Sequence, residues 1–366
     1  MVQETRSERH ARGFSSWSQF VSMLFCQLGR AHSLREISGG LRSCEGKLIH
    51  LGINAPSHST LAYANEHRPW ELYQLLFQEL LERCRSTIVI NQRKFRFKNK
   101  LISMDSTTID LCLSIFDWAH YRKTKGAIKL HLLLDHDGYL PSFAIISEGN
   151  IHDVKIAQQL NFDPHTIVID DRGYVDYDLY NKWTSQSVYF VTRMKSNAMY
   201  IVVGDNPIAW HSHVIRDETI RLEGIKSPVK CHYNLRRIQY WDSETDEVLV
   251  FLTNNLKLAS NTIAAIYKDR WQIETFFRAL KQNLKIKTFI GTSANAVKIQ
   301  IWTALIAMLI LRFLQLRSKF RWSLSNLVAL LRMNLFTHKE LWAWLDKPFE
   351  VIEELDEPEQ LKLALT

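Results

Sequence analysis

Between residues 99 and 192 the chain alternates short apolar runs with turn residues in an order that few folds accommodate. Residues 101–105, 127–135 and 140–147 each read as a strand, and Asp137-Gly138 between the second and third is a hairpin signal. Three consecutive strands predict an antiparallel meander. Residues 152–160 then read as a helix, 166–170 as a strand, 176–183 as a helix and 188–192 as a strand. The order βββαβαβ with mixed pairing is that of a ribonuclease H-like sheet, which makes the expected fold class α/β.

The flanks differ from this centre. Strand-like pieces at 200–203, 229–240 and 248–253 predict a β-rich insertion, and a long helical pattern returns over 261–284. Residues 296–316 and 323–335 also read as helical. At the front, Phe20, Leu24, Phe25 and Leu28 recur at helical spacing before Gly29, and Ser33-Leu34-Arg35-Glu36 has the form of a capping box. That box opens a helix that Gly39 and Gly40 are expected to interrupt. A third helix is expected from Ser57–Thr60 to Arg68, in the manner of a helix-turn-helix reader, and a fourth over 70–83. The expected division is a helical DNA-binding domain (1–98), the first part of the core (99–194), the β-rich insertion (195–258), the remaining core helices (259–316) and a helical C-terminal tail (317–366).

Charge is concentrated in that front segment. Residues 1–100 hold fifteen Lys and Arg against eight Glu and no Asp, so about +7 of the net +8 lies there. Arg93, Lys94, Arg96, Lys98 and Lys100 alternate with Phe95 and Phe97, which suits either a surface that follows a phosphate backbone or a solvated edge strand. The five cysteines have no metal-ligand spacing, and the longest apolar stretch, 301–311, is short for a bilayer. A cytoplasmic protein with no membrane partner is expected.

Three acids stand out. Asp105 closes one apolar strand and Asp170-Asp171 closes another; carboxylates at neighbouring strand ends need a cation, and hard oxygens select magnesium or manganese. Tyr267, Arg270, Glu274 and Lys281 follow at spacings of three, four and seven, on one side of the expected 261–284 helix, with Arg278 beside them. A phenol, a carboxylate and several cations in line suit a metal-bound, phosphate-rich strand. Ion pairs of Glu274 with Arg270 and Arg278 on a solvated face are the alternative.

The pattern Tyr267-x2-Arg270-x3-Glu274-x6-Lys281 resembles the Y-R-E-K signature of the insertion sequence 4 family of DDE transposases. Met104-Asp105-Ser106 and Asp171-Arg172-Gly173-Tyr174 are similar to that family's first and second aspartate motifs, and the resemblance spans about residues 99–315. It implies Asp105, Asp171 and Glu274 as catalytic metal ligands, with Mg2+ as cofactor and Mn2+ able to substitute. Asp171 is preferred to Asp170 because it aligns with the Arg-Gly-Tyr that follows. Tyr267, Arg270 and Lys281 would hold DNA phosphates. The implied activity is cut-and-paste transposition of an insertion sequence, with terminal inverted repeats and target DNA as partners and a homodimer in the synaptic complex. Family members commonly pass through a DNA hairpin, for which Trp210 and Trp241 are candidates to hold a flipped base. A catalytically inactive DNA-binding protein and a structure-specific nuclease of the same fold are the alternative readings. His131 and His152 are expected to be structural, Trp271 to be core, and the turn Asn150-Ile151-His152-Asp153 to cap its helix through a side-chain oxygen.

Overall fold

The computed structural model describes residues 1–9, 11, 13–87, 94–122, 125–223, 230–335 and 340–349. Arg93, the start of the strand expected at 229 and the end of the C-terminal tail lie outside these residues.

Ten described strands form one mixed sheet: β1 (Leu101–Leu111), β2 (His120–Arg122), β3 (Lys125–Asp135), β4 (Leu140–Glu148), β5 (Ile167–Ile169), β6 (Tyr189–Arg193), β7 (Tyr200–Asp205), β8 (Val214–Leu222), β9 (Leu235–Asp242) and β10 (Glu247–Thr253). Their order is β2-β3-β1-β5-β6-β10-β9-β8-β7, with β4 also pairing β3. β1, β3 and β4 are antiparallel, whereas β1, β5 and β6 run parallel. This is the predicted ribonuclease H-like arrangement. Ile167, Val168 and Ile169 of β5 are all buried, as a parallel strand covered on both faces requires.

The β-rich stretch prolongs this same sheet, because β10 pairs antiparallel with β6. β8 was not read from the sequence. Its Arg216, Asp217, Glu218 and Arg221 hide the alternation, and two of those acids are buried against arginines of β9: Asp217 against Arg236 and Glu218 against Arg237.

Among the described residues α1 (Val2–Thr5), α2 (Ser16–Gly29), α3 (Leu34–Ser43), α4 (Glu45–Leu48), α5 (His58–His67) and α6 (Glu71–Thr87) precede the sheet, and later helices cover both faces of the central strands. Helix α7 (Asp153–Ala157) and helix α8 (Tyr177–Ser185) pack Ala157, Tyr180 and Trp183 on Ile102, Val168 and Phe190. On the other face α9 (Ser260–Asp269) packs Ile263 and Ile266 on Leu101, Ile167 and Ile169. Phe95 and Phe97 stack at 5.2 Å and join that cluster, which leaves Lys94, Arg96 and Lys98 exposed; the described part of the basic run is not a strand, and its Lys94 pairs with Asp269.

The front helices Ser16–Gly29, Leu34–Ser43, His58–His67 and Glu71–Thr87 share one core with β3 and with the 24-residue helix Ala294–Arg317. Contrary to the reading of 301–311, that last helix is long and apolar enough to cross a membrane. It is apolar all round because protein encases it: Ile301, Leu305, Met308 and Leu309 are fully buried. The capping box forms: Ser33 Oγ accepts the Glu36 N–H at 3.2 Å, and Glu36 reaches back to the His32 N–H at 2.8 Å. Gly39 and Gly40 do not break their helix, however. A Cβ at Gly40 would come within 2.7 Å of the Phe25 ring, so this glycine serves close helix packing.

His131 on β3 is buried, and its Nε2 shares a 2.8 Å hydrogen bond with Ser147. Burial pushes its pKa down to about 4 despite the Asp153 carboxylate 3.4 Å away. The unfolded imidazole takes up a proton below about 6.5, whereas the folded one resists protonation until about pH 4, so stability present above about 6.5 is lost as pH falls. The slope is at most about 1.4 kcal/mol per pH unit. His131→Asn is expected to flatten it in urea midpoints taken between about pH 7 and about pH 5, and equal slopes in both proteins would reject this assignment.

Candidate active site

Register brings the first two acids together. β1 and β5 pair with Leu101 opposite Ile167 and Ser103 opposite Ile169. Asp105 and Asp171 each lie two residues further on, so alternation leaves both on the face covered by α9. Asp105 does not close its strand as expected. β1 continues to Leu111 against β3, and only the parallel pairing ends before Asp105. Asp170 faces the other way, fully buried, with the Tyr180 hydroxyl donating to it at 3.2 Å and its pKa pushed up to about 8 by burial. Asp171 is partly exposed and accepts the Gly173 N–H at 2.8 Å.

The third acid arrives on a broken helix. The segment expected as one helix is two, α9 ending at Asp269 and α10 spanning Trp271–Asn283. At the junction the Arg270 N–H donates to the Tyr267 carbonyl and the Ile273 N–H to the Arg270 carbonyl, bonds three residues apart that tighten the turn. Arg270 then sits among the acids, with Nη2 2.7 Å from Glu274 Oε1 and Nη1 3.5 Å from Asp105 Oδ2. Its guanidinium lies 5.6 Å from the Tyr267 ring centroid, and its buried Nε and Nη1 have no hydrogen-bond acceptor among the described residues. Trp271, expected in the core, is 53% exposed, because it lies on the face of α10 that also exposes Thr275, Arg278 and Gln282, opposite the buried Ile273, Phe277 and Leu280.

A buried polar chain anchors that junction. Asp269 receives His136 Nδ1 and Lys94 Nζ, each at 2.6 Å, and the Tyr139 hydroxyl at 3.1 Å, while His136 Nε2 meets Ser103 Oγ at 2.7 Å. Burial pushes the Asp269 carboxyl up, but the hydrogen bonds from His136 and Lys94 outweigh it and hold the pKa below its usual value. Nothing in the spacing links His136 to Asp269, so sequence reasoning missed the pair. Asp269→Asn keeps the shape but loses the charge that holds these donors. Misplacement of Arg270 is expected to slow DNA cleavage by up to about 10²-fold with little change in DNA affinity. Unchanged single-turnover rates would show that the chain only packs.

Electrostatics couple the acids. Burial raises the Asp105 pKa to about 7; the Ser106 N–H and Arg270 oppose this, and Asp171 and Glu274 add to it. Lys281 stands apart from this cluster, donating to Thr107 Oγ1 at 2.6 Å and to the Thr108 carbonyl at 3.1 Å, which ties α10 to β1. The 150–153 turn does not cap α7 through a side chain: Asp153 instead accepts Ser106 Oγ at 2.8 Å and Lys129 Nζ at 3.3 Å. His152 is exposed at the start of that helix. Trp210 and Trp241 in the insertion are 88% and 41% exposed.

Acids gathered where the parallel strands of such a sheet diverge, with an arginine and a third acid on the helices behind, define an enzyme core of the ribonuclease H-like class. Residues 96–310 match the family model of the transposase DDE domain, and residues 1–54 match a domain of unknown function. A protein described as a transposase in Sinorhizobium fredii is 32% identical over 299 residues, covering 80% of this chain and 81% of its own. A transposase described for an insertion sequence element of Geobacillus stearothermophilus is 27% identical, covering 75% of this chain and 71% of its own. A solved piggyBac transposase synaptic complex with hairpin DNA has 9% identity and a TM-score of 0.45, covering 92% of this chain and 72% of its own. The chain belongs to the DDE transposase-domain family. It is a transposase, an enzyme that cleaves and transfers DNA.

That family uses divalent metal ions. The donor chemistry here fits: three carboxylates offer hard oxygens, and desolvation of Asp105 makes its negative charge costly without a cation. Among the described residues no three acidic, histidine or cysteine side chains are drawn together tightly enough to share one ion. The Arg270 guanidinium lies between Asp105 and Glu274 instead.

Proposed function

We propose that this transposase moves its own insertion sequence by cut and paste, with Asp105, Asp171 and Glu274 as its catalytic carboxylates and as ligands for Mg2+, for which Mn2+ can substitute. The observation that carries this reading is Arg270, which bridges Asp105 and Glu274 while Asp171 lies within electrostatic reach. When bound, the metal would activate the attacking oxygen and offset charge on the leaving one. Arg270 has buried donors without acceptors among the described residues, a state that a DNA phosphate oxygen would relieve. Tyr267 holds the guanidinium from below, and Lys281 adds a cation further along α10. These roles follow the Y-R-E-K pattern of the insertion sequence 4 family.

The substrate is the pair of terminal inverted repeats of the element, brought together with target DNA by a homodimer. Residues 1–98 contribute DNA binding, 195–258 act as the insertion and 317–366 as the tail, in a cytoplasmic protein working at the nucleoid. If cleavage runs through a hairpin, the exposed Trp210 or Trp241 could hold a flipped base. The test uses full-length protein and linear DNA carrying the two ends that flank its gene. Cuts at both ends in magnesium and none with a chelator are expected. Metal-independent cutting, or cuts indifferent to the ends, would refute the reading.

A further inference from the structure

A cleft of about 480 Å³ opens between the N-terminal segment and the helix His58–His67, away from the six residues assigned above. Three guanidiniums line it. Arg6 and Arg9 are exposed and make no side-chain hydrogen bond or ion pair with the described residues. Arg68 is fixed in the wall by the carbonyls of Phe14 and Ser15 and by Gln19, over the Phe14 ring at 5.2 Å. The nearby acid Glu8 accepts the Ser16 N–H, which fixes its carboxylate in place but keeps its charge, so one acid stands against the three guanidiniums that line the cleft. On the helix side, Tyr63 is 66% exposed and stacks on His67 with centroids 4.0 Å apart and planes 17° from parallel. His67 Nδ1 bonds the Tyr63 carbonyl at 3.0 Å, which holds the two rings face to face as one stack whose outer face can receive a further ring.

An exposed, preformed aromatic stack beside two guanidiniums that have no partner among the described residues offers the two contacts that a nucleotide needs, a stacking face and a phosphate clamp. A base inside a duplex cannot use such a platform, because both its faces are already stacked. We propose that this cleft binds one unpaired nucleotide of a DNA strand, its phosphate against Arg6 and Arg9 and its base on the Tyr63–His67 pair. The proposal rests on the reading that the chain acts on DNA, and it adds a site that recognises unpaired strand next to duplex.

The test is fluorescence anisotropy on the full chain with three probes: a fully paired duplex, the same duplex with a short single-stranded tail, and thymidine monophosphate. The tailed duplex is expected to bind more tightly than the paired one. Tyr63→Ala should remove that advantage, about tenfold, and leave paired-duplex affinity unchanged, whereas Tyr63→Phe should keep it. Replacing Arg6 and Arg9 by Ala should weaken tailed-duplex binding and lower its salt dependence. Equal affinity for the tailed and paired duplexes, or equal loss on both with Tyr63→Ala, would overturn the proposal while leaving DNA binding intact. Tyr63-dependent binding of the free nucleotide with no preference for the tail would assign the cleft to a small ligand and overturn the DNA source. Failure to bind any of the DNA probes would instead count against the chain's action on DNA.

Discussion

Glu274→Gln is expected to abolish strand cleavage and joining in magnesium, by about 10³-fold or more, while the fold and DNA binding survive. The amide matches the carboxylate in shape and can still meet the Arg270 guanidinium now 2.7 Å away. What it loses is the negative charge that a divalent ion requires, so the deficit should fall on the chemical step. If Glu274 served only as a partner for Arg270 on a partly exposed surface, the same change would cost a few tenths of a kcal/mol and leave the rate nearly intact. Single-turnover cleavage of end-bearing DNA separates these outcomes by orders of magnitude. A near wild-type rate would remove Glu274 from the catalytic set and weaken the three-carboxylate assignment as a whole.

Arg236→Ala should be the most damaging change in the part of the sheet beyond β6. Arg236 and Asp217 form a two-pronged ion pair between β9 and β8, Nε to Oδ1 at 2.8 Å and Nη2 to Oδ2 at 2.5 Å, with side chains 7% and 0% exposed. The third guanidinium nitrogen donates to the Leu258 carbonyl, just before α9. Truncation leaves a buried carboxylate with Asn206 as its remaining side-chain donor among the described residues. An uncompensated buried charge costs about 3–5 kcal/mol, so a large drop in the urea midpoint is expected. Replacing both partners with apolar residues of similar size should cost much less, since the desolvation penalty disappears with the pair. A loss below about 1 kcal/mol for Arg236→Ala would mean that water or a shifted side chain already satisfies Asp217.

Strand and helix periodicity made much of this molecule legible in advance. The meander, the strands β5 and β6, the capping serine Ser33, and the two aspartate-bearing runs all follow from local pattern, since side-chain alternation and first-turn hydrogen bonding are short-range effects. Where charge disguised the pattern, local reasoning failed. β8 escaped notice because its acids are buried against arginines of a strand about nineteen residues away. The interruption between α9 and α10 at Arg270 likewise has no local signal.

By itself, then, the sequence determined which residue types lie at which spacings: two aspartates on strands destined to be neighbours, and a tyrosine, arginine, glutamate and lysine in a fixed helical series. Only the tertiary structure decided which of these meet. The parallel register of β1 and β5 turns Asp105 and Asp171 to one face and Asp170 to the other. Asp269, held by His136 from the β3–β4 hairpin, sets the junction that lodges Arg270 between Asp105 and Glu274. Lys281 is drawn away to β1 by Thr107. The physical reason is the range of the forces: alternation and helical period act over a few residues, whereas burial, register and charge pairing join positions far apart in the chain, as Leu101 with Ile167 and Asp105 with Arg270, and exist only once the chain has closed around them.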